Sequence, residues 1–203
     1  MKIRVLLLGA ATSLAMAGAA NAGGWYVAAE AGLNGIGEED VSGTFLGSPA
    51  TGTFEADLGW AVMASVGNAF SPGWRLEAEL GFRHNDASSD LAQVTDISLM
   101  ANVLYDFELS KDFDLTLGAG LGIAHTKLII DGFSSDTDVN VAYQALVGLS
   151  YAVGPSTDLT LAYRYMDVVD PTVQIGQAVA IEFDSISNRT LSVGLRFHFS
   201  QDE

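Results

Sequence analysis

The sequence predicts an all-β fold in which eight antiparallel strands, joined in up-and-down order, follow a cleaved leader. Three observations predict it. Segments of alternating apolar and polar residues recur eight times after the N-terminal region. Long polar connections alternate with short turns between these segments. Beyond the N-terminal region, no apolar run approaches the roughly 18 residues that a membrane-spanning helix needs.

The first 22 residues have the three parts of a secretory signal peptide. Lys2 and Arg4 supply the basic start, Val5–Ala20 the apolar stretch, and Ala20 and Ala22 the two small residues of the cleavage site. A membrane anchor is the alternative, but the stretch is short and no charged flank follows it. We therefore predict a signal peptide over residues 1–22 and one barrel domain over residues 23–203.

Composition excludes several classes of protein. The 203 residues include no cysteine, which excludes disulfide scaffolds, thiolate metal sites and cysteine nucleophiles. Nine Lys and Arg against 25 Asp and Glu give a net charge of −16, the wrong sign for a nucleic-acid partner. Apolar residues make up 49% of a chain that is also rich in glycine. Without spanning helices, such a chain fits either a β-sandwich or a membrane barrel.

Each predicted strand shows the period-two pattern of a half-buried strand. In the last one, Leu191, Val193 and Leu195 alternate with Ser192 and Gly194. The eight predicted segments are Trp25–Leu33, Phe54–Val66, Trp74–Arg83, Asp96–Phe107, Phe113–His125, Val139–Val153, Asp158–Met166 and Thr190–Phe199. Short connections carry turn residues such as Pro72-Gly73 and Gly154-Pro155, and both termini fall on their side.

The two faces of these strands favour a transmembrane barrel over a soluble sandwich. A sandwich also alternates, with its apolar side chains inward. Here glycines such as Gly32, Gly120 and Gly194 fall repeatedly on the polar parity, and glycine in a strand interior marks limited space. The opposite parity carries no Asp, Glu, Lys or Arg in any of the eight segments, as a lipid-facing surface requires. Its aromatic residues cluster towards the two segment ends, as interface girdles do.

The polar parity also carries balanced charge, which indicates an enclosed network. Enclosed charges must be paired because an isolated ion is costly to desolvate. The predicted interior ion-pair network consists of Glu30, Asp57, Arg75, Glu77, Glu79, Arg83, Arg164 and Arg196. Four further acids share this parity but lie at segment ends, where we expect water to reach them: Asp96, Asp106, Asp114 and Asp158.

Both ends of the predicted barrel resemble a known family. The chain opens its first strand with Gly24-Trp25-Tyr26-Val27 and ends its last with the pattern polar, any, Gly, any, any, aromatic, any, aromatic. These features resemble the eight-stranded outer-membrane barrels of Gram-negative bacteria, which include the transmembrane domain of outer-membrane protein A, opacity-type proteins and alphaproteobacterial surface porin-like proteins. In that family the last aromatic is normally the final residue, whereas Ser200–Glu203 follow here.

The resemblance implies a location and an assembly route, and we expect a monomer. It implies export through the periplasm to the outer membrane and contact with outer-membrane lipid and lipopolysaccharide. It also implies recognition by the barrel assembly machinery, through a signal formed by Ser192, Gly194, Phe197 and Phe199. The peptidoglycan-binding periplasmic domain of outer-membrane protein A has no counterpart in residues 23–203, so we expect no cell-wall tether.

The predicted function is that of a structural membrane protein, which contributes to the integrity of the envelope and displays its loops at the surface. An eight-stranded barrel is just wide enough for side chains to fill, which favours a packed interior over a water-filled one. A narrow pore for small solutes is one alternative, and a loop-mediated adhesin or surface antigen is another. We expect no enzyme, cofactor or metal, because His84, His125 and His198 lack the serine–histidine pattern of lipid-modifying barrels.

The long connections are acidic and are the expected contact surface for a host or surface ligand. Their carboxylates also suit divalent ions that bridge to anionic lipopolysaccharide. The fourth connection contains apolar stretches, which are expected to extend the last hairpin beyond the membrane or to meet a partner. The acids are Glu38, Glu39, Asp40, Asp86, Asp90, Asp131, Asp136, Asp138, Asp167, Asp170, Glu182 and Asp184.

Overall fold

A computed structural model describes residues 24–37, 39–45, 48–54, 57–70, 72–86, 92–130, 133–169, 172–175, 179–183 and 185–199. Twelve strands make up almost all of this part of the chain, in agreement with the predicted all-β class. No helix among these residues is long and apolar enough to cross a membrane. In chain order the strands are β1 (Trp25–Ile36), β2 (Glu39–Phe45), β3 (Ser48–Phe54), β4 (Gly59–Phe70), β5 (Trp74–Asp86), β6 (Ala92–Glu108), β7 (Phe113–Ile130), β8 (Phe133–Gly154), β9 (Thr157–Val169), β10 (Thr172–Ile175), β11 (Val179–Phe183) and β12 (Ser185–His198).

Eight of these strands close into one antiparallel barrel. Their order around the ring is β1, β4, β5, β6, β7, β8, β9 and β12, and β12 pairs with β1 to complete it. The strands are staggered around the ring. A path that starts at Trp25 and moves from each residue to its partner on the next strand returns to β1 at Gly35, ten residues further along. The path runs through Trp25, Asn68, Leu76, Val103, Ala119, Ala145, Tyr165, Arg189 and Gly35. With ordinary strand spacing, this stagger tilts the strands by about 40°.

The four remaining strands continue the barrel wall rather than forming a separate sheet. The pair β10–β11 keeps the register of β9–β12, and β2–β3 keeps that of β1–β4. The pairs Val173 with Thr137 and Ile181 with Gly43 continue the registers of β8–β9 and β1–β12. The predicted extension of the last hairpin is therefore present as backbone pairing, and it is part of a wider collar.

The collar is open on one side. Its strand order is β3, β2, β11, β10 and then β8, and no described residue pairs β3 with β5 or β6. The β5–β6 hairpin ends at the pair Asp86–Gln93, whereas β1 and β9 run on into β2 and β10. Among the described residues, the barrel wall therefore reaches least far outward at β5 and β6.

Observed strands begin close to the predicted segments at the short-turn end and run further at the long-loop end. The second segment, predicted over Phe54–Val66, differs at both ends. β4 instead runs from Gly59 to Phe70, so it begins five residues later and ends four residues later than predicted. The turn itself places Gly73 at a φ of 81°, a conformation that glycine adopts readily.

The outward face of the barrel is apolar and is ringed by aromatic residues near both ends. At the short-turn end the rings of Trp74 and Tyr105 lie 4.9 Å apart and those of Phe113 and Tyr151 lie 4.6 Å apart. At the long-loop end the rings of Trp60 and Phe82 lie 5.3 Å apart. About half of the Trp60 and Trp74 surface remains exposed, as expected of side chains that meet lipid.

Candidate functional site

The barrel lumen is the candidate site, because the inward face of the strands gathers the charged residues. These side chains form three layers along the axis. The layer nearest the short turns joins strands from both sides of the ring. Arg75 pairs with Asp106 at 2.7 Å and Arg196 pairs with Asp158 at 2.7 Å. Both guanidinium groups lie over the ring of Tyr26, at 5.2 and 5.8 Å from its centre.

The middle layer crosses the lumen. Arg164 on β9 donates from Nε to Oε2 of Glu79 on β5 at 3.2 Å, and three strands separate β9 from β5 in either direction around the ring. The same guanidinium donates from Nη1 and Nη2 to both carboxylate oxygens of Glu30, the second at 3.0 Å. Ser192 adds a hydroxyl that accepts from Arg164 and donates to Glu30. This layer therefore ties opposite walls together.

Two amide side chains complete the middle layer. Gln144 donates to Glu79 at 3.3 Å and to the amide oxygen of Asn102 at 2.7 Å. Asn102 in turn donates to Glu77 at 3.1 Å and to Glu79 at 3.4 Å. Tyr26 links this layer to the one below, because its hydroxyl donates to Glu77 at 2.9 Å and accepts from Arg75 at 3.0 Å. The two layers thus form one continuous polar network.

The outer layer is less well paired. Arg83, only 1% exposed, donates to Ser98 at 2.8 Å, and its Nη1 lies 3.6 Å from Asp96. Its Nε and Nη2 atoms are buried and have no hydrogen-bond partner among the described residues. Asp96 accepts from Thr126 at 3.0 Å.

Beside Arg83 and Asp96, the outer layer contains a cluster of amide side chains and several apolar ones. Asn34 donates from its amide to Asn85 at 2.7 Å and to Asn188 at 2.9 Å, and it accepts from Thr190 at 2.7 Å. Other buried positions at this end include the apolar Val94, Met166, Val168 and Ile186 and the polar Asp167 and Ser187. Charge therefore concentrates in the lower two layers of the lumen.

Little free volume remains between these side chains. A cavity of about 30 Å³ lies between the lower and middle layers and is lined by Glu30, Arg75, Glu77, Arg164 and Arg196, among others. Because one water needs about 10–15 Å³ of such volume, the cavity has room for two or three waters. None of its lining residues belongs to the outer layer.

Glycines on the inward face make room for this network. A Cβ atom added to Gly120 would meet the amide of Asn102, and one added to Gly67 would meet the ring of Tyr26. Both neighbours belong to the polar network, so a larger residue at either glycine would displace it. This is the limited space that the repeated glycines of the polar parity predicted.

Seven of the eight residues predicted to line the interior do face the lumen: Glu30, Arg75, Glu77, Glu79, Arg83, Arg164 and Arg196. The prediction for Asp57 is wrong. Asp57 is exposed and precedes the first residue of β4, because that strand begins at Gly59 rather than at Phe54. Its backbone meets the end of β5, where its N–H donates to Asp86.

Three acids expected to meet water are instead the principal partners of interior arginines. Asp106 binds Arg75, Asp158 binds Arg196, and Asp96 is the carboxylate closest to Arg83. The inward parity of all three was the signal that could have identified them. The network also contains three uncharged side chains that were not predicted, namely Tyr26, Asn102 and Gln144. An uncharged residue on the inward parity carries no sequence signal that it will hydrogen-bond to a charged group.

The predicted assembly signal lies on β12 and just after it. Phe197 and Phe199 face outward with about half of their surface exposed, and the N–H of Phe199 donates to the carbonyl of Trp25 at 2.8 Å. Ser192 and Gly194 face the lumen opposite β1. Recognition by the assembly machinery stays a prediction, and the predicted cleavage residues Ala20 and Ala22 lie outside the described residues.

Two of the three histidines have side-chain partners that define their surroundings. His198 shares the carboxylate of Asp158 with Arg196, at 2.7 Å from its Nε2 atom. His84 lies on the outward face and contacts the hydroxyl of Thr95 at 3.2 Å. Within the described part of the chain, no three His, Asp or Glu side chains are grouped so that they could hold a metal ion.

A comparison with family models identifies this architecture. Residues 4–199 match the model described as outer membrane protein beta-barrel domain. The chain belongs to this family. It is therefore an outer-membrane barrel protein of the Gram-negative envelope, as the resemblance in its first and last strands implied. Its short turns accordingly face the periplasm and its long loops face outward.

Two curated relatives show a more distant likeness. The opacity proteins opA57 and opA58 of Neisseria gonorrhoeae are each 28% identical to the chain over 102 residues, or 50% of its length. The match spans only 42% and 38% of these relatives, which is less than half of each. Activities and partners of the whole relatives therefore do not follow from it.

Solved structures share the fold. Neisserial surface protein A matches with a TM-score of 0.60 at 22% identity, over 88% of this chain and 100% of that one. The outer membrane protein AlkL, determined in DMPC lipid bilayers, matches with a TM-score of 0.60 at 18% identity, over 90% of this chain and 93% of that one. At these identities the likeness extends to the fold alone.

Proposed function

We propose that this outer-membrane barrel is a closed, monomeric anchor that contributes to envelope integrity and displays a β-sheet collar at the cell surface, without turning over a substrate. The observation that carries the proposal is the contact of Arg164 with Glu79 across the full width of the lumen. A side chain bound to the opposite wall blocks a continuous water path.

The surrounding contacts support a closed lumen. Glu30, Ser192, Gln144 and Asn102 connect the crossing to the rest of the ring. The cavity between the two lower layers holds only about 30 Å³. All eight barrel strands pair within one chain, so the barrel needs no second copy to satisfy its backbone hydrogen bonds.

The decisive experiment is conductance in a planar bilayer. The protein, folded as shown by its heat-dependent gel mobility, is expected to give no discrete current steps. Steps from folded protein would instead support the narrow pore, with the pocket lined by Arg75 and Arg196 as its start. The Arg164→Met variant tests the assignment of the barrier, since steps that appear only in that variant would place the barrier at this crossing.

Surface display is the second part of the proposal and rests on the collar. Backbone pairing carries the β1–β4 and β9–β12 hairpins beyond the barrel as β2–β3 and β10–β11. A strain that produces the barrel with residues 172–183 deleted tests this role. Loss of binding to host cells with retained gel mobility would favour an adhesin, whereas vesicle shedding in a full deletion strain would favour envelope support.

A further inference from the structure

Two tyrosines share one carboxylate where the pairing of β8 with β9 ends at the long-loop side. Tyr143 on β8 lies opposite Asp167 on β9, and Tyr165 precedes Asp167 by two residues on the same face of β9. Both phenol hydroxyls donate to Oδ2 of Asp167, that of Tyr143 at 3.0 Å and that of Tyr165 at 3.2 Å. The two phenolic oxygens are therefore close neighbours, because each lies within hydrogen-bonding distance of the same atom.

The shared carboxylate lies on the outward face of the barrel. Met166 and Val168, which flank Asp167 on β9, are buried in the lumen, and successive side chains of a strand point to opposite faces. Asp167 is nevertheless only 6% exposed, whereas Tyr143 is 44% exposed. A small molecule that reaches the outer rim can thus contact the Tyr143 ring, while the carboxylate behind it is shielded.

One oxygen of this carboxylate is not used by the phenols. Oδ2 accepts both hydroxyls, whereas Oδ1 is buried and has no hydrogen-bond partner in the part of the chain that the structure describes. A carboxylate oxygen without a hydrogen bond is an acceptor that remains available for a proton. Asp167 can therefore take up a hydroxyl proton from either tyrosine.

The other tyrosines lack this arrangement. The chain has six tyrosines, all within the described residues. Tyr26 also donates to a carboxylate, that of Glu77, but it is enclosed in the lumen. Tyr163 lies on the same face of β9, and its exposed fraction equals that of Tyr143. It is not one of the two phenols that donate to the shared carboxylate, so it offers an internal comparison.

We propose that Tyr143 and Tyr165 are an oxidation site at which a small one-electron oxidant closes a covalent dityrosine bridge between β8 and β9. Each phenol loses one electron to the oxidant and its hydroxyl proton to Asp167, which passes that proton to water at the rim. The two phenoxyl radicals form a carbon–carbon bond between ring positions next to the oxygens. The hydrogen on each of those carbons then moves to its oxygen. In total, two electrons go to the oxidant and two protons go to water.

The geometry makes this pair the preferred place for the reaction. Loss of an electron makes a phenol hydroxyl strongly acidic, so oxidation is easiest where a base is already hydrogen-bonded to it. A second phenol on the same oxygen converts the coupling of two radicals into a reaction between neighbours. The bridge would join the last paired residues of β8 and β9 below the contact between β8 and β10.

The test uses the protein extracted from outer membranes and placed in DMPC nanodiscs with one barrel per disc, which excludes coupling between copies. The oxidant is tris(bipyridine)ruthenium(III), generated by light with persulfate as the final electron acceptor. We expect dityrosine fluorescence and the loss of two hydrogen atoms from the intact protein. Trypsin cleaves after Arg164, so the bridge should join peptides 128–164 and 165–189, with fragment spectra placing it at Tyr143 and Tyr165.

Four variants decide whether the shared carboxylate directs the reaction. Tyr143→Phe and Tyr165→Phe are each expected to abolish the bridge, whereas Tyr163→Phe, the matched control, is expected to leave its yield unchanged. Asp167→Asn keeps an oxygen that accepts from both phenols but takes up no proton, so the initial rate should fall at least about tenfold. The proposal is overturned if folded wild-type protein forms no bridge, if Tyr163→Phe removes it, or if Asp167→Asn reacts at the wild-type rate.

Folding and conductance are followed separately. Heat-dependent gel mobility shows whether each variant folds. If Asp167→Asn does not fold, the three tyrosine variants decide the question, because each removes a single hydroxyl. The inference concerns the outer wall and does not rest on the closed lumen. Current steps from a barrel that forms the bridge would overturn the closed lumen alone, and a silent barrel without the bridge would overturn the oxidation site alone.

Discussion

The middle and outer layers of the lumen each contain one buried arginine, and the two are held differently. Arg164 contacts two carboxylates and a serine hydroxyl that come from three strands around the ring. Arg83, which is equally buried, donates to one serine and lies 3.6 Å from one carboxylate. Burial alone therefore does not tell how strongly a charge is bound into the structure. The number of its partners, and the number of strands that supply them, determine how strongly the charge is held.

This difference predicts where the barrel is sensitive. A buried cation shared by carboxylates on separate strands links those strands, and its removal leaves two carboxylates enclosed without it. A buried cation with unpartnered nitrogen atoms already carries an uncompensated desolvation cost. Replacing it by an apolar side chain relieves that cost.

The largest expected effect is that of Arg164→Met. It leaves Glu30 and Glu79 facing each other without their cation, and the free energy of unfolding should fall by about 3–5 kcal/mol. Urea unfolding in lipid vesicles, followed by tryptophan fluorescence, measures the change. Arg164→Met combined with Glu30→Gln and Glu79→Gln should recover much of the loss. A single variant as stable as the wild type would contradict the idea that the middle layer ties the walls together.

A smaller effect is expected for Tyr26→Phe, which tests the link between the two lower layers. The change removes the hydroxyl that donates to Glu77 and accepts from Arg75 while the ring beneath both arginines remains. Loss of a hydrogen bond to a charged group should lower the free energy of unfolding by about 1.5–3 kcal/mol. The same urea titration measures it. If Tyr26→Phe and Tyr26→Ala were equally destabilised, the ring would contribute nothing.

The smallest effect is expected for Arg83→Met, which contrasts with Arg164→Met at the same substitution. The variant loses one hydrogen bond to Ser98 and leaves Asp96 buried without its cation, but it relieves the buried nitrogen atoms and breaks an ion pair of only 3.6 Å. The free energy of unfolding should therefore fall by only about 1 kcal/mol. Arg83→Met with Asp96→Asn should be as stable as the wild type or more stable. A loss as large as that of Arg164→Met would show that the outer layer holds its charge as tightly as the middle one.

Strand parity was predictable from the sequence because one side of each strand meets lipid. Glu30, Arg75 and Arg164 could be assigned to the interior for that reason alone. Their partners could not, because a contact such as Arg164 to Glu79 joins opposite walls and depends on the ten-residue stagger of the ring. The pairing pattern of the closed barrel fixes that stagger, and no single segment contains it.

Segment ends were the other source of error. Asp96 was expected at the water-exposed start of its strand, but β6 begins four residues earlier at Ala92, which places Asp96 well inside. The prediction for Asp57 was wrong in the opposite direction, because β4 begins two residues after Asp57 and leaves it outside the strand. Apolar alternation fades where strands leave the lipid, so the pattern that reveals a strand does not show where it stops.

The pairing of β1 with β12 has a consequence for the order of events during biogenesis. The last seam of the ring joins the earliest and the latest strands to be synthesised, so neither edge can find its permanent neighbour while the chain is still emerging. Until then both edges expose unpaired N–H and C=O groups that lipid cannot satisfy. Stable insertion must therefore wait for the seam, and its rate is governed by contacts between residues 152 to 172 positions apart, among the most distant in the described part of the chain.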